Sequence, residues 1–147
     1  MVLQLIVQVL PQKCKLRSTL LLIILFKTAL VFGQVAVFSV KYKTIKFPNT
    51  AEGEVLKFSY EIKNNGKSAL EIYSSETECS CTEVTLPSEK ILPGEFATIK
   101  VVFDTKGKYY FQNRMIYLNT NTRKGKELLR FKVFVEPDPE RVFPKDP

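Results

Sequence analysis

The chain has 147 residues, enough for one ordinary domain, and an apolar fraction of 45% is ample for a buried core. It contains no histidine, so the commonest general base and the commonest metal ligand are both missing. The formal net charge is +7. Residues 1–33 hold four of the 22 basic residues and no acid, which leaves 18 basic against 15 acidic residues, a net of +3, in the remainder. A surplus this small and dispersed argues against nucleic-acid binding.

Residues 1–33 have the pattern of a secretory signal peptide. Basic residues flank Cys14, and an apolar run begins at Leu20. The small residue Gly33 predicts cleavage before Gln34, with export to the periplasm or the extracellular space. An uncleaved membrane anchor is the alternative, but Lys27 interrupts the apolar run and makes a stable span costly. We therefore expect no membrane span after cleavage.

Seven segments after the leader have the alternation or the β-branched content of strands. In chain order they are residues 37–47, 55–62, 70–73, a strand ending at 84–86, 99–103, 109–118 and 129–135. The alternation is clearest in residues 55–62, where four apolar side chains fall on one face. Residues 37–47 carry the alternating lysines of an edge strand. The offset phases of residues 109–118 predict a bulge near residues 112–114.

Turn-forming residues separate these segments. Pro93-Gly94 predicts a type II turn, with glycine at the position that requires a positive φ. Residues 64–67, Asn-Asn-Gly-Lys, are expected to end their strand through residues that accept a positive φ. Seven short strands between such turns predict an all-β, immunoglobulin-like antiparallel β-sandwich over residues 34–136. Residues 137–147 are proline-rich and charged, which predicts an extended, mobile tail.

The order of several motifs resembles one protein family. Residues 58–72 lead into Cys79-Ser80-Cys81-Thr82, followed by Pro93-Gly94-Glu95, a strand ending in Phe103-Asp104, and a late Asn121. This order is similar to the bacterial secreted family known as domain of unknown function fifteen seventy-three, over roughly residues 38–136. The resemblance implies export and a sandwich related to the major-sperm-protein type, with no established activity. The family usually has glycine where Ser80 stands, and often Phe-Gly where Phe47-Pro48 stands.

Cys79 and Cys81 are the only cysteines after the leader. In a straight strand, residues two apart have Cα atoms about 6.5 Å apart. That distance is the far limit for a disulfide, so a Cys79–Cys81 disulfide requires a local turn. Three interpretations remain open: a structural pair, a thiol redox pair, and a Cu(I) site made of two thiolates. We assign no metal and no cofactor.

No motif in the sequence supports catalysis. Nucleotide-binding glycine loops and the Gly-x-Ser-x-Gly element are absent, and Glu76 and Glu78 lack the tryptophan platforms of a glycosidase. We therefore predict a non-catalytic binding or scaffolding module whose partner is another envelope protein. The alternative is a thiol redox or copper-handling envelope protein that uses Cys79 and Cys81. The expected partner-contact loop consists of Ser80 and Thr82 together with Pro93 and Gly94.

The run Tyr109-Tyr110-Phe111 has two interpretations. Exposed aromatic side chains often anchor interfaces, so the run is a candidate contact patch. More often such a run places one ring in the core and another at the rim of a sheet. We expect the second arrangement.

Overall fold

The computed structural model describes residues 34–140. The predicted signal peptide, residues 1–33, and residues 141–147 of the predicted tail lie outside this range. The described residues form nine strands and no helix, so they contain no helix able to span a membrane. The strands are β1 (Phe38–Val40), β2 (Thr44–Lys46), β3 (Thr50–Ala51), β4 (Val55–Asn64), β5 (Ile72–Thr77), β6 (Thr82–Thr85), β7 (Phe96–Asp104), β8 (Tyr110–Thr120) and β9 (Lys126–Glu136).

The strands form two sheets. Sheet A has the order β1-β4-β7-β6, and sheet B has the order β2-β9-β8-β5, with β3 also paired to β9. The long pairs, β4 with β7 and β8 with β9, are antiparallel. The short strands β2 and β3 run parallel to β9. The predicted all-β sandwich is confirmed, and these two short pairs are its departures from a purely antiparallel arrangement.

The core lies where the inward side chains of both sheets meet. From Ile99 in β7 and from Leu129 in β9, every second side chain is buried, as the alternation predicted, and Phe103 and Phe131 are completely inaccessible. Their ring centroids are 5.0 Å apart in an edge-to-face contact, and Phe58 of β4 contacts Phe131 in the same way at 5.1 Å. Burial of each such large apolar side chain contributes about 1.5–3 kcal/mol to stability. These rings join the two sheets.

Residues 37–47 form two strands where one was predicted. β1 pairs with β4 in sheet A, whereas β2 pairs with β9 in sheet B, so the chain crosses between the sheets at residues 41–43. A further short strand, β3, forms between β2 and β4, where no strand was predicted. These differences raise the number of strands from seven to nine. Both β1 and β2 lie at the edge of a sheet, as the lysines predicted.

The bulge predicted near residues 112–114 is wrong. β8 pairs with β9 without a shift in register, and the shift occurs between β5 and β8, at Ile72 and Ser74. The apolar residues of β8 fall into two phases because the charged Arg114 occupies an inward position. Its guanidinium lies 6.0 Å from the Phe103 ring centroid. The apolar Phe111, in contrast, is 61% exposed.

The Pro93-Gly94 turn is confirmed as type II. Gly94 has φ +85°, and the Glu95 N–H donates to the Leu92 carbonyl at 3.0 Å. The turn at the end of β4 was predicted for the wrong reason, because none of residues 64–67 has a positive φ. Glycine is needed there for space.

A Cβ atom on Gly66 would overlap the backbone of the segment that enters β1. The atoms in its way are the carbonyl oxygen of Val35, the nitrogen of Val37 and the Cα of Ala36. The Lys67 N–H also donates to the Val35 carbonyl at 3.0 Å. Gly66 therefore permits the close approach of two backbone segments.

Candidate functional site

The Cys79–Cys81 pair lies in the turn that carries the chain from β5 in sheet B to β6 in sheet A. The two cysteines form a disulfide, and their Cα atoms are 5.2 Å apart, closer than in a straight strand. The Thr82 N–H donates to the Cys79 carbonyl at 3.2 Å and closes the turn. The Asp104 N–H donates to the Cys81 carbonyl at 2.9 Å, which attaches the turn to the end of β7.

The disulfide limits the chemistry of this turn. Both cysteines are half-buried, and Cys81 packs against the hydrophobic core. As a disulfide the pair offers no thiolate, so the copper-binding alternative requires that it be reduced first. Within residues 34–140, no three or more His, Cys, Asp or Glu side chains form a group that could hold a metal ion.

The predicted partner-contact loop is divided between the two ends of the sandwich. Ser80 and Thr82 lie where β7 ends, since Thr82 pairs with Phe103. Pro93 and Gly94 lie just before β7 begins. The nine residues of β7 span about 27 Å, so the structure does not bring the two halves of the loop together.

One end of the sandwich is held by the fully buried side chain of Asn64. Its Nδ2 donates to the carbonyls of Ser68 at 2.7 Å and Ile91 at 2.9 Å. Its Oδ1 accepts from the N–H groups of Gly66 at 2.9 Å and Val37 at 3.3 Å. One amide therefore satisfies four backbone groups from three separate segments, which such buried groups require.

A second asparagine, Asn121, acts in the same way at this end. Its Oδ1 accepts from the Glu71 N–H at 3.0 Å, and its Nδ2 donates to the Ala69 carbonyl at 2.9 Å. The Gly94 N–H donates to the Asn64 carbonyl at 2.8 Å and joins the proline turn to the same network. We call Asn64, Asn121 and the Pro93-Gly94 turn the asparagine end.

The role of Asn64 was not predicted, although the sequence contains a signal for it. Asn64 follows Tyr60 and Ile62 at the same spacing of two, so it continues the inward face of β4. A polar residue in an inward register needs hydrogen-bond partners inside the protein. That reasoning predicts a buried amide where a turn residue was expected.

The opposite end of the sandwich exposes its aromatic side chains. Tyr109, Tyr110 and Phe111 are 40%, 49% and 61% exposed, and Phe134 of β9 is 39% exposed. The expectation that one ring of the run lies in the core is therefore wrong. The Tyr110 ring contacts those of Tyr109 and Phe134, with centroids 5.4 Å and 6.3 Å apart. We call these four residues the aromatic end.

A cleft of about 310 Å³ adjoins the aromatic end on sheet B. Strands β8 and β9 and the segment around β2 contribute its lining residues, which are Lys46, Phe47, Phe111, Lys132, Val133 and Phe134. The Lys132 ammonium lies 6.0 Å from the centroid of the Phe111 ring. Neither lysine of the cleft has an ion-pair partner within residues 34–140. The cleft is thus apolar and cationic, with no acidic residue in its lining.

Glu76 and Glu78 both have partners within sheet B. Glu76 accepts from Asn119 Nδ2 at 2.8 Å and forms an ion pair with Lys126 at 3.0 Å. The hydrogen bond from Asn119, together with Lys126, lowers the pKa of Glu76 below its ordinary value. Glu78 accepts from the Met115 N–H at 3.3 Å. Each carboxylate thus supports the end of β5, and the two do not face each other across a cleft.

Several solved structures share this fold. A protein of unknown function from Porphyromonas gingivalis W83 is 18% identical, with a TM-score of 0.62 over 69% of this chain and 48% of that one. The ASH/PapD-like domain 7 of human CEP192 is 13% identical, with a TM-score of 0.54 over 74% and 89%. The VesB protease of Vibrio cholerae is 12% identical, with a TM-score of 0.52 over 69% and 31%. The predicted immunoglobulin-like sandwich is confirmed, and at these identities the likeness shows the fold alone.

The chain spans about half the length of the Porphyromonas protein. No curated protein matches its sequence. The family described as "Protein of unknown function (DUF1573)" matches residues 38–135, from the first residue of β1 almost to the end of β9. The match covers more than half of the chain and confirms the resemblance found in the sequence. The chain therefore belongs to DUF1573, a family of proteins of unknown function.

Proposed function

We propose that the protein is an exported, non-catalytic binding or scaffolding module of the cell envelope, and that the cleft at the aromatic end contacts another envelope protein. The proposal of export relies on the sequence of residues 1–33 and on the family resemblance. The proposal of binding relies on one structural observation, the cluster of exposed rings on sheet B beside two lysines that have no ion-pair partner within residues 34–140.

Exposed rings that gather on one face are a signal of contact. Phe111 and Phe134 lie within the same cleft, whereas single exposed apolar residues are common on any protein surface. Aromatic side chains are enriched at the centre of protein interfaces, because a large apolar area is buried at a small cost in side-chain entropy. These two rings are the proposed anchors of the contact.

The charge of the cleft indicates the chemistry of the partner. Lys46 and Lys132 have no ion-pair partner among the described residues, so their charges are available to a second molecule. Complementary charge favours an acidic surface over a basic one and accelerates association. The expected partner presents an acidic patch that also carries apolar side chains.

The contact can be tested by photo-crosslinking in the native envelope with a photoreactive phenylalanine analogue at position 111. Phe96 of sheet A is the matched control, since it is 63% exposed and Lys63 lies 5.1 Å from its ring centroid. We expect a discrete crosslinked product from position 111 and none from position 96. Lys132→Glu should reduce the yield at least about fivefold, because it repels an acidic partner. The proposal fails if position 111 gives no product, or if position 96 gives the same one.

Export is tested by the intact mass of protein recovered from the envelope. We expect a chain that begins at Gln34, with Cys79 and Cys81 resistant to alkylation before reduction. A chain that retains residues 1–33 would contradict signal cleavage. Two alkylated thiols, or an added metal mass, would support the redox or copper alternative instead.

A further inference from the structure

Strand β8 extends well beyond its neighbour β5. The pairing between them ends where Thr77 faces Ile116, because the chain then leaves sheet B through the Cys79–Cys81 turn. β8 itself begins at Tyr110. The stretch of β8 before Met115 is therefore paired with β9 on one side and borders no other strand of residues 34–140 on the other.

The direction of the backbone groups shows which of them face this open side. Alternate residues of a strand direct their N–H and C=O groups to opposite sides. The Met115 N–H points away from β9, since it donates to Glu78 at the end of β5. Phe111 and Asn113 share its direction. On the side away from β9, no strand, turn or side chain of the described residues bonds to the backbone of Phe111 or Asn113.

The other open edges of the two sheets carry features that oppose pairing. Residues 55–61 of β4, which β1 does not cover, carry the charged Lys57 and Glu61. β1 and β2 are three residues long; Lys41 follows β1 directly, and Lys46 is the last residue of β2. β5 has a register shift, and the four-residue β6 carries Glu83. Short length, charge and irregularity are the features that prevent strand addition. The open stretch of β8 differs, because residues 110–113 are uncharged and regularly paired with β9.

We propose that a second copy of this chain pairs with this edge, antiparallel and about a two-fold axis at Gln112. In this register Phe111 faces Asn113 of the other copy, and Asn113 faces Phe111. Each of these pairs exchanges two backbone hydrogen bonds, which makes about four in all. The inference goes beyond the proposed function and does not depend on it.

The geometry of the edge fits a copy of itself. The open stretch is limited at one end by Glu78, which occupies the Met115 N–H. At the other end Tyr110 has φ +62°, so the chain turns away from the strand direction there. The open stretch is therefore residues 110–114, and two such stretches overlap completely in this register.

The charges of the edge are also compatible with self-pairing. The one charged side chain of residues 110–114, Arg114, stands opposite the uncharged position 110 of the other copy. Like charges do not face each other across the pair, which would be destabilising. Gln112, whose amide bonds to the Tyr109 carbonyl and to Arg114 within its own chain, faces the uncharged Gln112 of the other copy. The interface is small, so we expect a dissociation constant on the order of 10 µM.

Such a dimer has a definite consequence for the cleft. A two-fold axis perpendicular to the sheet joins the two copies of sheet B into one continuous sheet. The outward faces of both copies then lie on the same side, and each carries its own cleft with Phe111 and Lys132. A partner that reaches both clefts gains avidity without any new contact.

The test is sedimentation of the protein recovered from the cell at concentrations from about 1 µM to 1 mM, which spans the expected dissociation constant. We expect a reversible dimer for the native chain. Asn113→Pro removes an N–H group that faces the open side and leaves the β8–β9 hydrogen bonds intact, so it should give a monomer with a similar melting temperature. Asn113→Ala is the matched control, because it changes the side chain and keeps the N–H group. It should remain dimeric.

Oxidative crosslinking tests the register. Gln112→Cys should form a disulfide-linked dimer under mild oxidation, because the axis brings position 112 of both copies together. Asn113→Cys should not, because position 113 of one copy faces position 111 of the other, and the two positions 113 do not face each other. A native chain that stays monomeric up to 1 mM overturns the proposal, as does a dimer that survives Asn113→Pro. A monomer with Phe111 and Asn113 amides protected from hydrogen exchange would assign the edge to another segment, such as residues 141–147, and would also overturn it.

Discussion

The two ends of the sandwich differ in how their backbone polar groups are hydrogen-bonded. At the asparagine end, the side chains of Asn64 and Asn121 bond to six backbone groups of neighbouring loops. At the aromatic end, the rings of Tyr110 and Phe111 are exposed, and the edge of β8 beside them has no neighbouring strand in the described residues. Side-chain hydrogen bonds stabilise the first end, and the second carries the surface that we propose as a contact site.

This difference separates substitutions that should affect folding from those that should affect binding. Buried amides that satisfy several groups are costly to remove, because each partner is left without a hydrogen bond in an environment without water. Exposed rings contribute little to the folded state and are available to a second molecule. Four predictions test how strict this division is.

The largest expected effect is that of Asn64→Leu at the asparagine end. It removes four hydrogen bonds and leaves buried backbone groups unsatisfied, so we expect a loss of about 3–5 kcal/mol in the free energy of unfolding. Urea denaturation measures the loss. Asn113→Ala, an exposed asparagine near the aromatic end, is the control and should change stability by less than about 0.5 kcal/mol. Equal losses would remove the distinction between the ends.

Two glycines provide the next comparison. Gly66→Ala places a Cβ against the backbone of Val35 and Val37, and we expect it to cost about 3 kcal/mol. Gly107, near the aromatic end, has φ +68° and nothing within 4 Å of an added Cβ. Gly107→Ala should therefore cost only about 1 kcal/mol, through backbone strain alone. Thermal unfolding of both variants measures the difference, and a reversed order would contradict the close approach at Gly66.

Removal of the disulfide should have a moderate effect. The disulfide closes a loop of three residues, which lowers the chain entropy of the unfolded state and stabilises the protein by about 1–2 kcal/mol. Cys79→Ser combined with Cys81→Ser removes this contribution. We expect the variant to fold and to unfold at a correspondingly lower urea concentration. A protein that no longer folds would mean that the crossing from β5 to β6 depends on this bond.

The smallest effect is expected between the ends, at Tyr60. Its hydroxyl donates to the Arg130 carbonyl at 2.8 Å, and burial raises the pKa of Tyr60 well above its ordinary value. The unfolded chain releases this proton near pH 10, whereas the folded chain keeps it, so stability should fall as the pH rises above about 10. Tyr60→Phe should cost about 1 kcal/mol at neutral pH. It should also flatten the alkaline fall, which melting curves from pH 8 to 11 would measure. An unchanged alkaline slope would assign the fall to another group.

Local patterns in the sequence predicted what depends on neighbours in the chain. The alternation of β4, β7 and β9 identified the buried side chains, because a strand with one buried face must alternate. The Pro93-Gly94 turn was also predictable, since its geometry is set by two adjacent residues. These features need no knowledge of the rest of the fold.

Long-range features were missed for a physical reason. Alternation in residues 37–47 shows which side chains face inward but not which strand lies beside them. The crossing between the sheets therefore could not be predicted. Gly66 is required by a segment about 30 residues away in the chain. The cysteine turn and the proline turn are close in sequence, but β7 holds them apart. The exposure of Phe111 follows from the inward register of Arg114, which hydrophobicity alone does not predict.

The parallel pairing of β2 and β3 with β9 also determines when the protein can fold. Thr50 pairs with Val135, so β2 and β3, which are synthesised early, cannot pair until β9 has been synthesised. Contacts between such distant residues make folding slow, because a long loop must close before they form. Until then the early strands have no neighbours in sheet B and are exposed to aggregation. A chain that folds this late can remain unfolded while it is being made.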